Sequence, residues 1–324
     1  MASVKRVGVL TSGGDAPGMN AAIRAVTRRG IDLGLEIVGI RRGFRGLMSG
    51  ELLPLGIADV GGILDRGGTI LQSIRAPEFE EEESQKKALE TVERAGLDGL
   101  VVIGGNGSLH GAAALHRAGV PTIGVPKTID NDIYGTDIAI GVDTALNTVV
   151  DCISKIRDTA ASHQRAFVVE TMGRGSGYIA LMAGLASGAE AILIPEVEPD
   201  LDLVAEAITQ GYRRGKRHAI VVVAEGVFKE AARTVGNYIE RRLGFEVRMT
   251  VLGHLQRGGA PTAFDRILAS RLGARAVEEL AAGRSGEMVA LVGSQLQSLP
   301  LSEVLDRPKP IPEELFRLAQ VLSK

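Results

Sequence analysis

Two aspartates, Asp130 and Asp132, stand two residues apart in the stretch Pro126-Lys127-Thr128-Ile129-Asp130-Asn131-Asp132, directly after the apolar run 122–125. Carboxylates on a loop at the carboxyl end of a strand suit general-base work and the holding of a hydroxyl or a metal ion. Asp also forms Asx turns, so the spacing alone leaves catalysis and turn-making both open. Two glycine-rich stretches, Thr11-Ser12-Gly13-Gly14-Asp15-Ala16-Pro17-Gly18 and Gly104-Gly105-Asn106-Gly107-Ser108, each follow an apolar run and lead into a helical pattern. Such a turn lets backbone N–H groups approach an anion with no Cβ in the way, and the helix dipole favours negative charge. Two of them point to a polyphosphate or to two phosphorylated ligands. Neither is a named nucleotide motif: G-x-x-x-x-G-K-[ST] is absent, and Gly105-x-Gly107-x-x-His110 misses G-x-G-x-x-G at its last position. Further along, Met172-Gly173-Arg174-Gly175-Ser176-Gly177-Tyr178 follows another apolar run. Gly253-His254-Leu255-Gln256-Arg257-Gly258-Gly259 sets His254 and Arg257 around a tight turn, as a phosphate ester would require. A lone histidine is more often structural than functional, and a glycine turn needs no ligand.

Something must hold these loops in place. Apolar runs at 7–10, 36–40, 100–103, 122–125, 166–170, 191–194, 219–224, 248–252 and 288–292 read as strands buried on both faces. Helical patterns fall at 19–33, 84–95, 108–118, 143–161, 177–187, 201–213, 261–282 and 312–322. The alternation predicts parallel sheets with helices on both sides, and so many strands predict two Rossmann-like α/β domains. No low-complexity linker divides them; the boundary is set near Ile140. The acidic run 80–83 reads as a solvated helix start favoured by the dipole.

Composition narrows the function. The 324 residues carry 37 Lys and Arg against 39 Asp and Glu, a net charge of −2, with 3% aromatics and no Trp. A nucleic-acid binder would show a basic excess or stacking rings. One cysteine, Cys152, excludes an internal disulfide and a Cys-rich zinc site. No run reaches 18 apolar residues, and the first ten residues lack a signal-peptide core, so a cytoplasmic enzyme without membrane or nucleic-acid partners is expected. The 42 glycines, about twice the average share, include the pairs 13–14, 61–62, 67–68, 104–105 and 258–259. The expectation is that most of the excess clears backbone for phosphate.

Taken in order, several motifs carry a resemblance to bacterial-type 6-phosphofructokinase over nearly the whole chain. They are Gly13-Gly14-Asp15-Ala16-Pro17-Gly18-Met19-Asn20, Arg66-Gly67-Gly68-Thr69, Arg75-Ala76-Pro77-Glu78-Phe79 and Thr128-Ile129-Asp130-Asn131-Asp132. Ile156-Arg157-Asp158-Thr159-Ala160, Met172-Gly173-Arg174, Ala224-Glu225-Gly226 and the His254–Arg257 turn complete the set. The resemblance implies two α/β domains: 1–140 with about 258–308 binding the donor, and 141–257 with about 309–324 binding fructose 6-phosphate. It implies phosphoryl transfer from ATP with Mg2+ to the sugar's 1-hydroxyl, in a homotetramer. Asp130 matches the family's base and Asp132 a carboxylate helping to hold sugar and charge. Gly14 and Arg75 match donor-phosphate contacts, and Thr128 and Arg174 transition-state contacts. Ala76, Gly105, Asn106, Gly107, Ser108 and Lys127 complete the donor site. His254 and Arg257, with Met172, Gly173 and Glu225, match the sugar phosphate's site, with Arg165 and Arg248 reaching in from a neighbouring subunit. Arg24, Arg28, Arg157, Glu190, Arg214, Lys216 and His218 match the family's allosteric effector site, though Ile57 stands where an arginine is usual.

Two departures concern the donor. Asn106 stands where ATP-using members carry an Asp that helps hold Mg2+, and loses a negative charge from a hard cation's site. Lys127 stands where they carry Gly and looks like the pyrophosphate-using branch, in which the ammonium holds the inorganic donor. Gly107, often a larger acidic residue in that branch, leaves room for a nucleotide. Three readings stand: an ATP-dependent enzyme, a pyrophosphate-dependent one, and a non-catalytic regulatory subunit. A dehydrogenase lacks the G-x-G-x-x-G opening it needs.

Overall fold

The computed structural model describes residues 4–163, 165–305 and 307–323. The chain runs β1 (Arg6–Thr11), α1 (Met19–Asp32), β2 (Glu36–Ile40), α2 (Gly43–Ser49), β3 (Leu52–Leu55), α3 (Glu82–Ala95), β4 (Gly99–Gly104), α4 (Asn106–Arg117) and β5 (Thr122–Pro126). It continues through α5 (Val142–His163), β6 (Ala166–Thr171), α6 (Tyr178–Ala186), β7 (Ala191–Leu193), α7 (Leu201–Arg213), β8 (Ala219–Ala224), α8 (Ala231–Leu243) and β9 (Val247–Val251). It ends with α9 (Ala263–Ala281), β10 (Glu287–Val292), β11 (Gln295–Pro300), α10 (Leu301–Leu305) and α11 (Glu313–Leu322). Two compact units result, Met1–Asp143 with Arg257–Lys309, and Thr144–Gln256 with Pro310–Lys324.

The first unit holds a seven-stranded sheet in the order β11-β10-β5-β4-β1-β2-β3. Its five inner strands are parallel, and β3 and β11 close the edges antiparallel. All six residues of β4 and all five of β5 are buried, as strands covered on both faces must be. Helices α1 and α9 cross closely over this sheet: a Cβ on Gly273 would lie 2.7 Å from the carbonyl oxygen of Ala22. Small residues there let the backbones meet, and Val26, Leu268, Leu272 and Val277 pack into the apolar core on either side. The second unit holds a parallel sheet, β7-β8-β6-β9, with its own core of Val168, Val221, Val223, Val235 and Ile239. Strand β9 is an edge and half exposed, which departs from the expectation of two buried faces. Asp200 caps α7 by accepting from the N–H groups of Asp202 and Leu203, both at 3.0 Å, and Thr262 caps α9 by accepting from that of Asp265 at 3.2 Å. Each such cap contributes about 1 kcal/mol.

The glycine excess has other causes than phosphate. Among the described residues, many glycines hold left-handed φ just beyond a helix, as Gly96 and Gly244 do after α3 and α8. The pairs 67–68 and 258–259 meet each other: a Cβ on Gly67 would sit 2.4 Å from the carbonyl oxygen of Gly259. This corrects the expectation that most of the surplus clears backbone for phosphate. Among the described residues, no helix is long and apolar enough to cross a membrane.

Candidate active site

In the first unit, strand order places the carboxyl ends of β5, β4 and β1 side by side, with β1 flanked by β4 on one side and β2 on the other. The chain reverses its winding direction there, which is where open α/β sheets hold ligands. The loops leaving those three strands line a cavity of about 860 Å³, within the range of small-molecule sites. Gly14, Arg75, Ala76, Gly105, Asn106, Gly107, Ser108, Lys127, Thr128, Asp130, Asp132 and Arg257 all border it. Beyond the glycine loops its wall combines apolar Phe44, Pro77, Phe79 and Ala114 with polar Glu80, Gln85, His110 and Arg117. Phe44 and Phe79 stack with ring centroids 4.2 Å apart.

The carboxylate loop is shaped by the residue between the two aspartates. Asn131 is 3% exposed and holds φ +49°, a left-handed conformation that Asn tolerates better than most residues. Its Nδ2 donates to the carbonyl of Asp137 at 3.1 Å, and its Oδ1 accepts from the N–H of Ala139 at 3.1 Å. The N–H of Asp130 donates to Thr128 Oγ1 at 3.0 Å. Asn106, at the first turn of α4, donates through Nδ2 to Asp132 Oδ2 at 2.9 Å. That pairing sets the Asn106 amide and the Asp132 carboxylate within hydrogen-bond reach of each other. One carboxylate and one amide oxygen fit Mg2+, which takes few protein oxygens and completes its shell with water and phosphate. Among the described residues, no group of three or more His, Cys, Asp or Glu could hold a metal by itself.

The first glycine loop is held from its carbonyl side. Lys127, 3% exposed, donates through Nζ to the carbonyl of Ser12 at 3.2 Å and to that of Gly14. Burial, reinforced by the Arg257 charge, lowers its pKa to about 8. The ammonium is thus bound to the loop's backbone, whereas the resemblance has it holding an inorganic donor. Arg257 Nη1 donates to the carbonyl of Asp15 at 3.1 Å. A Cβ on Gly14 would lie 2.4 Å from that nitrogen, so only glycine lets the guanidinium lie on the loop. Arg257, expected beside the sugar phosphate, here also packs against the first glycine loop.

The second unit carries the other residues expected at the sugar site. Met172 and Gly173 are buried and Arg174 exposed, in a turn locked by Gly226, whose Cβ would meet the carbonyl oxygen of Arg174 at 2.0 Å. Glu225 follows at the end of β8, its N–H donating to the carbonyl of Thr171 at 2.9 Å. His254 is exposed on the short turn Gly253–Arg257. Arg165 and Arg248 share Glu246, at 3.0 and 2.5 Å. Of the effector set, Glu190 is buried and pairs with Lys216 at 3.0 Å. Arg157, Arg214 and His218 lie in the same unit, and Arg24 and Arg28 lie on α1 of the first unit. Phe44 and Ser73 lie outside every motif, and Asn20 and Gln256 stand within motifs that give them no role. Asn20 bonds the backbone of Arg66, Gly67 and Ile70, and Gln256 accepts from the N–H of Met172 at 3.2 Å. Their partners lie far along the chain, which no local motif reveals.

A parallel sheet with glycine loops, a helix N-terminus and paired aspartates at its switch point defines an α/β protein equipped for phosphorylated ligands. The family model "Phosphofructokinase" matches residues 6–280. The chain is 54% identical to an ATP-dependent 6-phosphofructokinase of Thermotoga neapolitana, covering 99% of this chain and 100% of that protein. It is 55% identical to ATP-dependent 6-phosphofructokinase 1 of Thermus thermophilus, with the same coverage. Among solved structures, the T-state phosphofructokinase of Pichia pastoris matches with TM-score 0.89 at 35% identity, over 100% of this chain and 37% of that one. A pyrophosphate-dependent phosphofructokinase from Nitrosospira multiformis shares the fold, with TM-score 0.89 at 21% identity over 99% of this chain and 92% of that one. The chain belongs to the phosphofructokinase family.

Proposed function

We propose that this chain transfers the γ-phosphoryl group of ATP to the 1-hydroxyl of fructose 6-phosphate, giving fructose 1,6-bisphosphate and ADP as a cytoplasmic step of glycolysis. The cavity's extension carries the choice of donor. Past Gly107, where a Cβ would meet nothing within 4 Å, it runs along α4 to the Phe44 and Phe79 wall. Inorganic pyrophosphate needs no chamber beyond the glycine loops; a nucleoside needs such a mixed one, with rings to pack on and polar groups to bond. The relatives named as ATP-dependent enzymes support the same choice.

Phosphoryl transfer asks for positioning and charge neutralisation more than covalent chemistry. Asp130 takes the proton of the 1-hydroxyl as its oxygen attacks the γ-phosphorus. Arg75 and the N–H of Gly14 face the charge on the transferring group, and Thr128 steadies it. Asp132 and Asn106 would hold Mg2+, which would offset charge on the phosphate oxygens. The sugar's 6-phosphate is received by His254 and Arg257, with Met172, Gly173, Arg174 and Glu225 around the sugar. Arg165 and Arg248 act from a neighbouring subunit of a homotetramer, and the Glu190 and Lys216 region keeps part of the family's effector site, with regulation weakened by Ile57.

Purified protein with fructose 6-phosphate and Mg2+, given ATP, ADP or pyrophosphate in turn, tests the reading. ATP is expected to support turnover. Activity with pyrophosphate alone would move the assignment to the pyrophosphate branch, and activity with none of the three to a regulatory subunit.

A further inference from the structure

Four consecutive peptide carbonyls of the first glycine loop are each held by a side chain from elsewhere in the first unit. Lys127 Nζ takes those of Ser12 and Gly14, Ser73 Oγ donates to that of Gly13 at 2.6 Å, and Arg257 takes that of Asp15. In a trans peptide the N–H points opposite to the carbonyl of the same unit. Holding these oxygens therefore aims the N–H groups of Gly13, Gly14 and Asp15 away from the side chains that hold them. Among the described residues, no acceptor takes any of those three N–H groups, whereas that of Ser12 already donates to Ile103. The loop thus presents unpaired donors next to the cavity, with its electronegative side tied down.

We propose that Lys127 and Ser73 are positioning residues that hold this loop in its anion-receiving shape, and that Lys127 is not itself a ligand of the phosphoryl donor. Three observations carry this. The Lys127 ammonium is buried, both its acceptors are loop carbonyls, and it lies 3.9 Å from where a Cβ on Gly13 would be, directly beneath the loop. A lysine so engaged does not mark pyrophosphate use. It does for this loop what an arginine does at Asp15 and a serine at Gly13. Arg257, Arg75, Asp15 and Asp130 are the charged groups that act on it. The inference deepens the phosphoryl-transfer reading and rests on it for its kinetic arm only.

Ser73→Ala and Lys127→Met are compared with the unaltered enzyme in two measurements. The first is amide hydrogen exchange of peptides covering 11–18 in ligand-free protein. The second is KM for the donor, ATP or whichever of ATP and pyrophosphate the enzyme uses, beside KM for fructose 6-phosphate. Both variants are expected to exchange at least 5-fold faster in that segment. Donor KM should rise about 3-fold for Ser73→Ala and 10-fold or more for Lys127→Met, with the sugar's KM within 2-fold. Lys127→Gln, which keeps one donor group, should recover part of both effects. Donor KM rising with unchanged ligand-free exchange at Lys127 would show direct contact with the donor and overturn the proposal. So would faster exchange with no change in donor KM, or no change in either. Should Lys127→Met fail to fold, Lys127→Gln and Ser73→Ala decide by the same outcomes. Use of pyrophosphate alone overturns the assignment of donor and leaves the loop measurement standing.

Discussion

Replacing Asn106 by Asp sets two carboxylates where one amide–carboxylate hydrogen bond now stands, at 2.9 Å from Nδ2 to Asp132 Oδ2. Without metal the loss has two parts. The hydrogen bond contributes roughly 1.5–3 kcal/mol, because its acceptor is charged. Two like charges about 4 Å apart add roughly 1–4 kcal/mol of repulsion at effective dielectrics between 80 and 20. One carboxyl of the pair therefore takes up a proton more readily in the folded state than in the unfolded one. A folded pKa raised in this way means that stability falls as pH rises through it and returns on acidification. The metal reverses the sign: the added charge that repels Asp132 attracts a divalent cation. A gain of about 1.4–2.8 kcal/mol corresponds to 10- to 100-fold tighter Mg2+ binding. The assay titrates activity with free Mg2+ at saturating ATP, beside thermal melts in chelator at pH 7.5 and pH 5. Expected are a half-saturating Mg2+ lowered at least 10-fold and a melting temperature lower at pH 7.5 in chelator. That deficit should shrink at pH 5 and on adding Mg2+. A Mg2+ titration unchanged while the melting temperature falls would refute the place given to residue 106 in holding the cation.

Asp130→Ser should cut kcat by roughly two to four orders of magnitude with little change in donor KM, as expected of a lost general base; steady-state kinetics in both substrates decides it. Gly107→Asp should raise KM for ATP at least 10-fold while leaving the melting temperature unchanged, because the position is open and not left-handed; unaltered KM would remove the cavity extension from the nucleotide's path. In the unaltered enzyme, donor KM should rise between pH 7 and 9.5 with a midpoint near 8, where Lys127 loses its charge and donates more weakly. The lowered pKa also means that the cost of burying this charge is present below about 8 and relieved as pH climbs toward the ordinary lysine value, so melting should not mirror the KM profile. Fructose 6-phosphate saturation should shift little with ADP or phosphoenolpyruvate, since exposed Ile57 offers no guanidinium; strong shifts with both would show that the remaining basic residues suffice.

The inner strands of both sheets were legible because parallel strands covered on both faces must be unbroken apolar runs, as in β4, β5 and β8. The two antiparallel edges were not. Strand β3 contains Pro54 and β11 alternates with glutamines, the composition of strands that end a sheet rather than fill it. Helix α8 also escapes detection, despite buried Ala231, Val235 and Ile239 at helical spacing, since Gly236 interrupts it and no capping side chain announces its start. That glycine is there for packing: a Cβ would strike the Met249 side chain at 2.4 Å. In the site, residue types pointed to loops that the fold gathers around one cavity. They said nothing of which way Lys127 turns, because that depends on carbonyls more than a hundred residues away. Nor does the local sequence show that Asn131, between the two aspartates, bonds the backbone of Asp137 and Ala139.

The first unit is assembled from two stretches separated by most of the second, and this has a consequence for synthesis on the ribosome. When residue 143 has emerged, β5 is an open edge, and α1 lacks the helix that covers it. Strand β10, which pairs with β5, ends at Val292. At about 5–20 residues per second, the wait is roughly 7–30 s. All four strands of the second unit lie within residues 166–251, so the sheet begun later is finished earlier. A nascent chain stopped near residue 256 would hold a complete small sheet beside an unfinished larger one, its β5 edge available to any passing strand.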